Sequence, residues 1–306
     1  MASAANWSVP SPYTPTCGPV HRSRDSGLPL TQPSPSYQRP PVAEVALGIY
    51  FSPALDLRAV HMGQLWDRWR DRYPQVQDQS PLSPVLPETF PSPLQAVPFQ
   101  FVGGFPGIRV WYMSELGDQL VQVQPDRLVL NWRRIGQDQP YPRYEVLRPT
   151  FVREAQEFIG FLGDIGLGEA AITQAEVTYI NPISLQELGD PLDLSRLISP
   201  WSGRFSDSFL PLPEDTGFRL RFRIPEPASG EPVGRLYVEG NPAIHQTLGG
   251  EAPEEVFMLQ LFARGRPLGS GLDGALAFLD LGHDWVVRGF TSLTAEPMHS
   301  EWGRER

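Results

Sequence analysis

Three arginines near residue 220 alternate with apolar residues and have the spacing of an anion-binding strand. Arg219, Arg221 and Arg223 are two positions apart, with Phe, Leu, Phe and Ile around them. Residues two apart lie on one face of a β-strand, so the three guanidinium groups are predicted to project together. Their planar donors suit phosphate or carboxylate groups. Arg109, Arg127 and Arg133, on earlier predicted strands, could contribute to an equivalent patch.

The same arginine stripe also has a purely structural interpretation. Glu239 and Glu255 lie on the predicted strands that follow it in sequence. Opposite charges on adjacent strands pair across a sheet, and such pairing would leave the arginines on an ordinary solvated face. The sequence therefore leaves both interpretations open.

A group of amide side chains beside an aromatic residue is a second candidate binding surface. Gln122, Gln124, Asn131 and Trp132 fall within two successive predicted strands. Amides next to an indole could bind a polar ligand on an open sheet face. The wet side of any antiparallel sheet has a similar composition, so this surface also has a structural alternative.

His283 is the candidate for acid–base chemistry. It falls on the apolar side of a predicted C-terminal helix, where a buried structural histidine is the ordinary interpretation. The alternative is proton transfer or ligand binding in a pocket between helix and sheet, with a carboxylate or a tyrosine as partner. The five histidines and the single cysteine, Cys17, show no metal-ligand spacing, so no metal site is predicted.

The composition excludes several classes of function. All 25 basic residues are arginine, and the missing lysine excludes Schiff-base enzymes, Gly-Lys phosphate loops and protein kinases. The formal net charge of -10 argues against general nucleic-acid binding. A G-x-G-x-x-G sequence at residues 269–274 precedes the last long predicted helix, so no parallel βαβ unit follows it. No cofactor is predicted.

The N-terminal sequence and the hydropathy pattern indicate where in the cell the protein is expected. No run of about 18 apolar residues occurs, and no basic-then-apolar signal begins the chain. We therefore expect neither membrane insertion nor export, and predict a cytoplasmic protein without an internal disulfide.

These side chains are positioned by elements that the hydrophobic pattern predicts. Residues 1–39 are rich in Pro, Ser and Thr and are predicted to be a disordered leader. Residues 40–168 are predicted to contain a strand, a helix, three strands and a long helix, with a Pro-rich, mostly extended surface loop at 75–107. Residues 169–306 show the same order, and their long helix carries His283.

This repeated order predicts an α+β fold. Each half reads β-α-β-β-β-α, so the chain is interpreted as two tandem repeats. Two such units are expected to pair edge to edge into one broad, curved antiparallel sheet. The two long helices are expected to pack on one face, and the other face is expected to be open.

Several segments resemble a sporadically distributed, uncharacterised bacterial protein family. They are Pro40-Pro41-Val42-Ala43-Glu44-Val45, the stretch from Gln122 to Arg133, Glu176-Val-Thr-Tyr-Ile-Asn181, and His283-Asp284-Trp285 with the terminal Trp302-Gly303-Arg304. The resemblance covers the chain from Pro40 to its C-terminus. It implies a bacterial origin and an accessory role, as in a mobile or defence-related locus, and it supplies no catalytic residue.

Three hypotheses of function follow. The first is a non-enzymatic binding or adaptor protein that engages a protein or an anionic ligand through the open sheet face, the Pro-rich loop and the arginine stripe. The second is an enzyme with a pocket between sheet and helix, in which His283 acts as acid or base. The third is a single-stranded nucleic-acid binder with Trp111 or Trp132 as a stacking platform. The sequence predicts no oligomeric state.

Overall fold

A broad antiparallel sheet with helices on one face forms the fold. The computed structural model describes residues 33–91, 107–136, 139–188, 194–201, 207, 209–210, 213, 215–246 and 252–305. The strands are β1 (Glu44–Phe51), β2 (Gln75–Gln79), β3 (Arg109–Met113), β4 (Gln119–Gln124), β5 (Arg127–Arg133), β6 (Ile172–Ser184), β7 (Phe218–Pro225), β8 (Pro232–His245) and β9 (Glu254–Gly265). The helices are α1 (Ala59–Trp69), α2 (Tyr144–Asp164), α3 (Leu185–Leu188), α4 (Gly271–Leu293) and α5 (Glu296–Glu301).

The strands lie in the order β2-β3-β4-β5-β1-β6-β9-β8-β7, and all neighbours are antiparallel. The β1–β6 pair lies at the centre and joins the two halves of the chain edge to edge. The predicted α+β fold is confirmed. Strand β2 was missed, because its polar sequence, Gln-Val-Gln-Asp-Gln, is mostly exposed and lacks an apolar face.

The long helices α2 and α4 pack on the same face of the sheet, as predicted. The Phe158 ring of α2 stacks on Phe51 of β1, with 5.9 Å between ring centroids. Helix α4 lies over β6, β9 and β8. The two helices are linked where Tyr144 of α2 donates a hydrogen bond to Asp280 of α4 at 2.8 Å.

Glycines allow α4 to approach the sheet closely. Gly234 of β8 and Gly265 of β9 are register partners, and the buried Phe278 ring of α4 lies over both. A Cβ atom on Gly234 would come within 2.7 Å of that ring. On the helix itself, a Cβ on Gly282 would come within 2.9 Å of Val177 of β6. The lack of a side chain at these three glycines therefore determines how closely α4 packs on the sheet.

Residues 34–39, assigned to the leader from the sequence, belong to the fold. Tyr37 is buried, and its ring packs edge-on against Phe290 and Trp302. Burial of an aromatic ring contributes enough apolar area to order a short segment that composition alone marks as disordered. The boundary predicted at residue 40 therefore moves to residue 34. Residues 1–32 of the predicted leader lie outside the described residues.

The sheet face opposite the helices is partly covered, which corrects the expectation of an open face. Residues 80–91, termed the crossing segment, run over this face and form most of the described part of the Pro-rich loop predicted at 75–107, whose first residues form β2. Sheet side chains donate hydrogen bonds to its backbone carbonyls, namely Arg109 to Ser80, Gln124 to Leu82, Arg127 to Ser83 and Gln174 to Leu86. Proline has no N–H for strand pairing, so side chains rather than a neighbouring strand satisfy these carbonyls.

Glu88 anchors the crossing segment through a buried ion pair. Its carboxylate pairs with Arg235 of β8 and accepts a hydrogen bond from Tyr237 Oη at 2.6 Å. Both charged side chains are only 7% exposed, and the Arg235 guanidinium lies 4.2 Å from the Phe90 ring centroid. Removing the carboxylate would leave a buried, uncompensated cation.

Substitution of Gly265 by alanine tests the close packing of α4. We predict that Gly265→Ala lowers the free energy of unfolding by about 2 kcal/mol, because the new methyl group overlaps the Phe278 ring. The control is Gly160→Ala in α2, where no atom lies within 4 Å of the added Cβ. That change should raise stability by about 0.5 kcal/mol or more. Equal effects in urea unfolding would contradict the packing assignment.

Substitution of Glu88 by alanine tests the anchor of the crossing segment. We predict that Glu88→Ala lowers the free energy of unfolding by about 3 kcal/mol and makes residues 80–91 more sensitive to protease. Asp56→Ala is the control, because Asp56 pairs with Arg58 on the exposed surface and its loss should have no measurable effect. A Glu88→Ala protein as stable and as protease-resistant as the Asp56→Ala protein would refute the anchor.

Candidate functional site

A cavity of about 560 Å³ lies between the sheet and helix α4. We term it the tyrosine pocket, because Tyr141, Tyr144 and Tyr179 line it together with His283. Tyr179 comes from β6 and His283 from α4, while Tyr141 and Tyr144 lie just before and at the start of α2. The apolar wall is formed mainly by Leu261, Val286, Val287 and Phe290.

A chain of hydrogen bonds joins three of these side chains. Tyr179 Oη lies 2.9 Å from His283 Nδ1 and 2.9 Å from Tyr141 Oη. Each link can run in either direction, because a hydroxyl both donates and accepts and a neutral imidazole carries its proton on either nitrogen. In one arrangement His283 Nε2–H is a donor. In the other, His283 Nε2 is an acceptor and Tyr141 has a hydroxyl proton to donate.

Burial keeps His283 uncharged. The Tyr144 ring stacks on its imidazole, with 4.0 Å between centroids and 4° between planes. Desolvation lowers the pKa of His283 from 6.5 to about 4, and attraction to Glu145, Asp284 and Asp280 opposes this only in part. His283 is therefore neutral at neutral pH.

The three tyrosines are held as neutral phenols. Burial is the largest cause that raises the pKa of Tyr141, Tyr144 and Tyr179 well above the usual range. Tyr144 also donates to Asp280, which forms an ion pair with Arg148 at 2.6 Å. The three tyrosines and His283 consequently offer uncharged donors and acceptors to the pocket.

The segment at residues 34–37 and the residue before α2 complete the pocket wall. Ser34 Oγ donates to Asp284 of α4 at 2.8 Å, and Arg143 donates to the Tyr37 carbonyl at 2.7 Å. Arg143 has a φ of 68°, a left-handed conformation that is uncommon outside glycine. Backbone strain of this kind clusters at functional sites, and here it lies at the edge of the cavity.

Strand β7 lies at the edge of the sheet, and its three arginines share one exposed face, as their alternation predicts. Arg219 forms an ion pair of 2.9 Å with Glu239. Glu239 is one of the two glutamates predicted to pair with the stripe across the sheet. Arg221 lies over the Tyr237 ring at 5.8 Å. No ion pair of Arg223 is found within the described ranges. Anion binding by this stripe stays a prediction.

The equivalent patch predicted at Arg127 and Arg133 is engaged in the fold. Arg127 is 5% exposed and bonds Asp126 and the crossing segment. Arg133 donates to the Gly117 carbonyl at 3.0 Å and lies 5.4 Å from the Trp111 ring centroid. These contacts within the fold favour a structural role for both arginines, and anion binding by this patch stays a prediction.

Asn131 and Trp132 lie on opposite faces of the sheet, so the predicted joint binding surface does not form. Asn131 accepts a hydrogen bond from Gln122 at 2.6 Å and donates to Glu44 on the polar face. Trp132 lies on the helix face, is 2% exposed and packs beside Tyr141. Successive side chains of a strand alternate between faces, so the sequence already held the signal that separates them.

Trp111 and Trp132, the stacking platforms of the nucleic-acid hypothesis, also lie on opposite faces of the sheet. Trp132 is buried and cannot stack on a base. Trp111 is on the polar face, but its indole N–H donates to Gln122 at 2.9 Å, and Arg109 and Arg133 flank its ring at 5.2 and 5.4 Å. One of the two proposed platforms is therefore wrong, and the other is already surrounded.

Among the residues with described positions, no three His, Cys, Asp or Glu side chains are grouped so that they could hold a metal ion. Within that part of the chain, no helix has the length and apolarity needed to cross a membrane. Cys17 lies outside the described residues, and the cytoplasmic location stays a prediction.

The sequence matches no protein-family model and no curated protein. Membership of the uncharacterised bacterial family, and the accessory role that it implies, therefore stay predictions that depend on the quoted segments.

The neutral state of His283 predicts a specific pH dependence of stability. The unfolded histidine titrates near 6.5 and the folded one near 4, so between these values only the unfolded chain takes up the proton. The free energy of unfolding should fall by about 3 kcal/mol as pH drops through this window, and the effect should be absent above pH 6.5. His283→Phe keeps an aromatic ring but cannot titrate. Its urea unfolding should therefore depend less on pH than the wild type, whereas parallel pH curves would refute the burial of a neutral His283.

Proposed function

We propose that this protein binds a small molecule in the tyrosine pocket. The observation that carries this proposal is the hydrogen-bonded chain Tyr141–Tyr179–His283 on the wall of a cavity of about 560 Å³. A cavity of this size, with an apolar wall on one side and convergent polar groups on the other, is typical of small-molecule sites. The binding hypothesis thus moves from the sheet face, which the crossing segment partly covers, to the helix face.

The chemistry of the pocket selects an uncharged, ring-sized group with a hydroxyl or a carbonyl. The hydrogen-bond chain can bind either a hydroxyl or a carbonyl group, because the direction of its hydrogen bonds can reverse. His283 Nε2, at the end of the chain, donates in one arrangement and accepts in the other. The stacked Tyr144 and His283 rings and the apolar wall favour a flat, apolar body. A charged group at the chain is disfavoured, because neutral phenols and a neutral imidazole provide no counter-ion for it.

The pKa values favour binding over catalysis. A general base works best when its pKa lies near the working pH, and the pKa of His283, about 4, makes it a weak base at neutral pH. Burial also raises the pKa of Tyr179, so it is a poor proton donor in a reaction. The enzyme hypothesis correctly located a polar partner for His283, but the non-enzymatic alternative accounts better for these groups.

A pocket-filling substitution tests the proposal. Val287 lines the pocket on α4, and Val286 and Phe290 beside it are more deeply buried. We predict that benzyl alcohol or acetophenone binds the full chain with an affinity of about millimolar, as expected for ligands of this size. Val287→Trp should weaken this binding at least about tenfold, because its side chain occupies the cavity. Val146→Trp is the control, because Val146 is exposed on α2 and does not line the pocket.

A second substitution tests the polar chain in the same titration. Tyr179→Phe removes only the central hydroxyl, and it should weaken the same probe by about fivefold, the effect of one neutral hydrogen bond. Two outcomes would contradict the proposal: neither probe binds the wild type, or a folded Val287→Trp protein binds as tightly as Val146→Trp.

A further inference from the structure

A second cavity, of about 1040 Å³, lies at the end of the sheet where β1 begins and β6 ends. We term it the arginine pocket, because Arg39, Arg134 and Arg143 line it from three separate parts of the chain. It adjoins the tyrosine pocket and shares Tyr141 and Arg143 with it.

The arginine pocket has a surplus of positive charge. None of its three arginines forms an ion pair with any described carboxylate, whereas arginines elsewhere, such as Arg72 and Arg264, are paired with buried or half-buried glutamates. Glu254 is the one carboxylate among the described lining residues. This local charge opposes the formal net charge of -10 on the whole chain. Arg39 and Arg143 each donate one hydrogen bond to a backbone carbonyl, of Glu301 and Tyr37, and keep further N–H donors. Several guanidinium groups without ion pairs in a concave site are an arrangement that binds oxyanions.

Arg134 is the least satisfied of the three arginines. Its Nε is shielded from solvent and has no hydrogen-bond partner in the described part of the chain. Its Nη2 makes only a long hydrogen bond, of 3.5 Å, to the Pro40 carbonyl. Burial lowers the pKa of Arg134, which shows that the surroundings disfavour its charge. An anion in the pocket would supply both the missing acceptor and the missing counter-charge.

The start of helix α2 adds to the positive potential. Arg143 occupies the N-cap position of this 21-residue helix, and no side chain caps the first turn. The first N–H groups of a helix lack partners within it and attract anions. Arg143, which has a positive φ, lies in the wall of both pockets.

We propose that the arginine pocket is an oxyanion site that binds the phosphate or carboxylate group of a small organic molecule. Arg134 and Arg39 provide guanidinium donors from two sides, and Arg143 provides a third from the start of α2. A small molecule rather than a nucleic acid fits, because the site is a cavity and the acidic chain as a whole repels a polyanion. This site is independent of the uncharged group proposed for the tyrosine pocket.

Titration of the full chain with inorganic phosphate and, separately, with malonate tests this site. At about 20 mM NaCl we expect at least one probe to bind, and about 200 mM NaCl should weaken it. Arg134→Gln and Arg39→Gln should each weaken binding by about tenfold to a hundredfold, the effect of losing a charge-assisted hydrogen bond. The matched control is Arg223→Gln, which removes an arginine outside the pocket and should leave the affinity within about twofold. A preference for phosphate or for malonate identifies which oxyanion the site takes.

Three results would overturn the proposal. In the first, neither probe binds the wild-type chain. In the second, Arg223→Gln weakens binding as much as Arg39→Gln, which would place the anion at the β7 stripe. In the third, Val287→Trp abolishes phosphate binding, which would place the anion in the tyrosine pocket. Arg39 is exposed, so Arg39→Gln should leave the fold intact. This variant therefore tests the site even if Arg134→Gln fails to fold.

Discussion

The close packing of helix α4 on the sheet is the constraint on which the other features depend. Gly234 and Gly265 leave space for the Phe278 ring, and Gly282 brings the helix onto Val177. At this depth, the next turns of α4 bring its polar residues to fixed partners, with His283 at Tyr179, Asp280 at Tyr144 and Asp284 at Ser34. A larger side chain at any of the three glycines would lift α4 and separate these pairs, because a packed core has no spare volume.

The two faces of the sheet use their polar groups differently. On the face without helices, amides, arginines and glutamates bond to one another and to the crossing segment, so this polar surface is largely internal to the fold. On the helix face, burial is deep enough to keep His283 and the tyrosines neutral, and the adjoining arginine pocket retains its charge without a counter-ion. A pocket with a neutral hydrogen-bond chain and a pocket lined by three arginines thus lie side by side and meet at Tyr141 and Arg143.

The periodicity of the sequence correctly predicted which face of a strand or helix certain side chains occupy. The alternation in β7 correctly placed Arg219, Arg221 and Arg223 on one face, and the helical spacing correctly placed His283 toward the sheet. The same period of two separates Asn131 from Trp132, and applying it there would have avoided that error. The pockets could not be predicted in this way, because they join distant residues: Tyr179 and His283 are 104 positions apart. Residues 34–39 were wrongly predicted to be disordered. Their composition is typical of a disordered segment, but burial of the Tyr37 ring stabilises them in the fold.

The proposed site requires that His283 is buried, neutral and hydrogen-bonded to Tyr179 in the wall of the tyrosine pocket. Nitrogen-15 NMR of the histidine side chains, followed from about pH 8 to about pH 3.5, measures this most directly. The structure predicts that the His283 nitrogens keep the shifts of a neutral ring through pH 6.5 and titrate near pH 4. A midpoint close to 6.5 would show an imidazole in contact with water and would contradict the pocket described here.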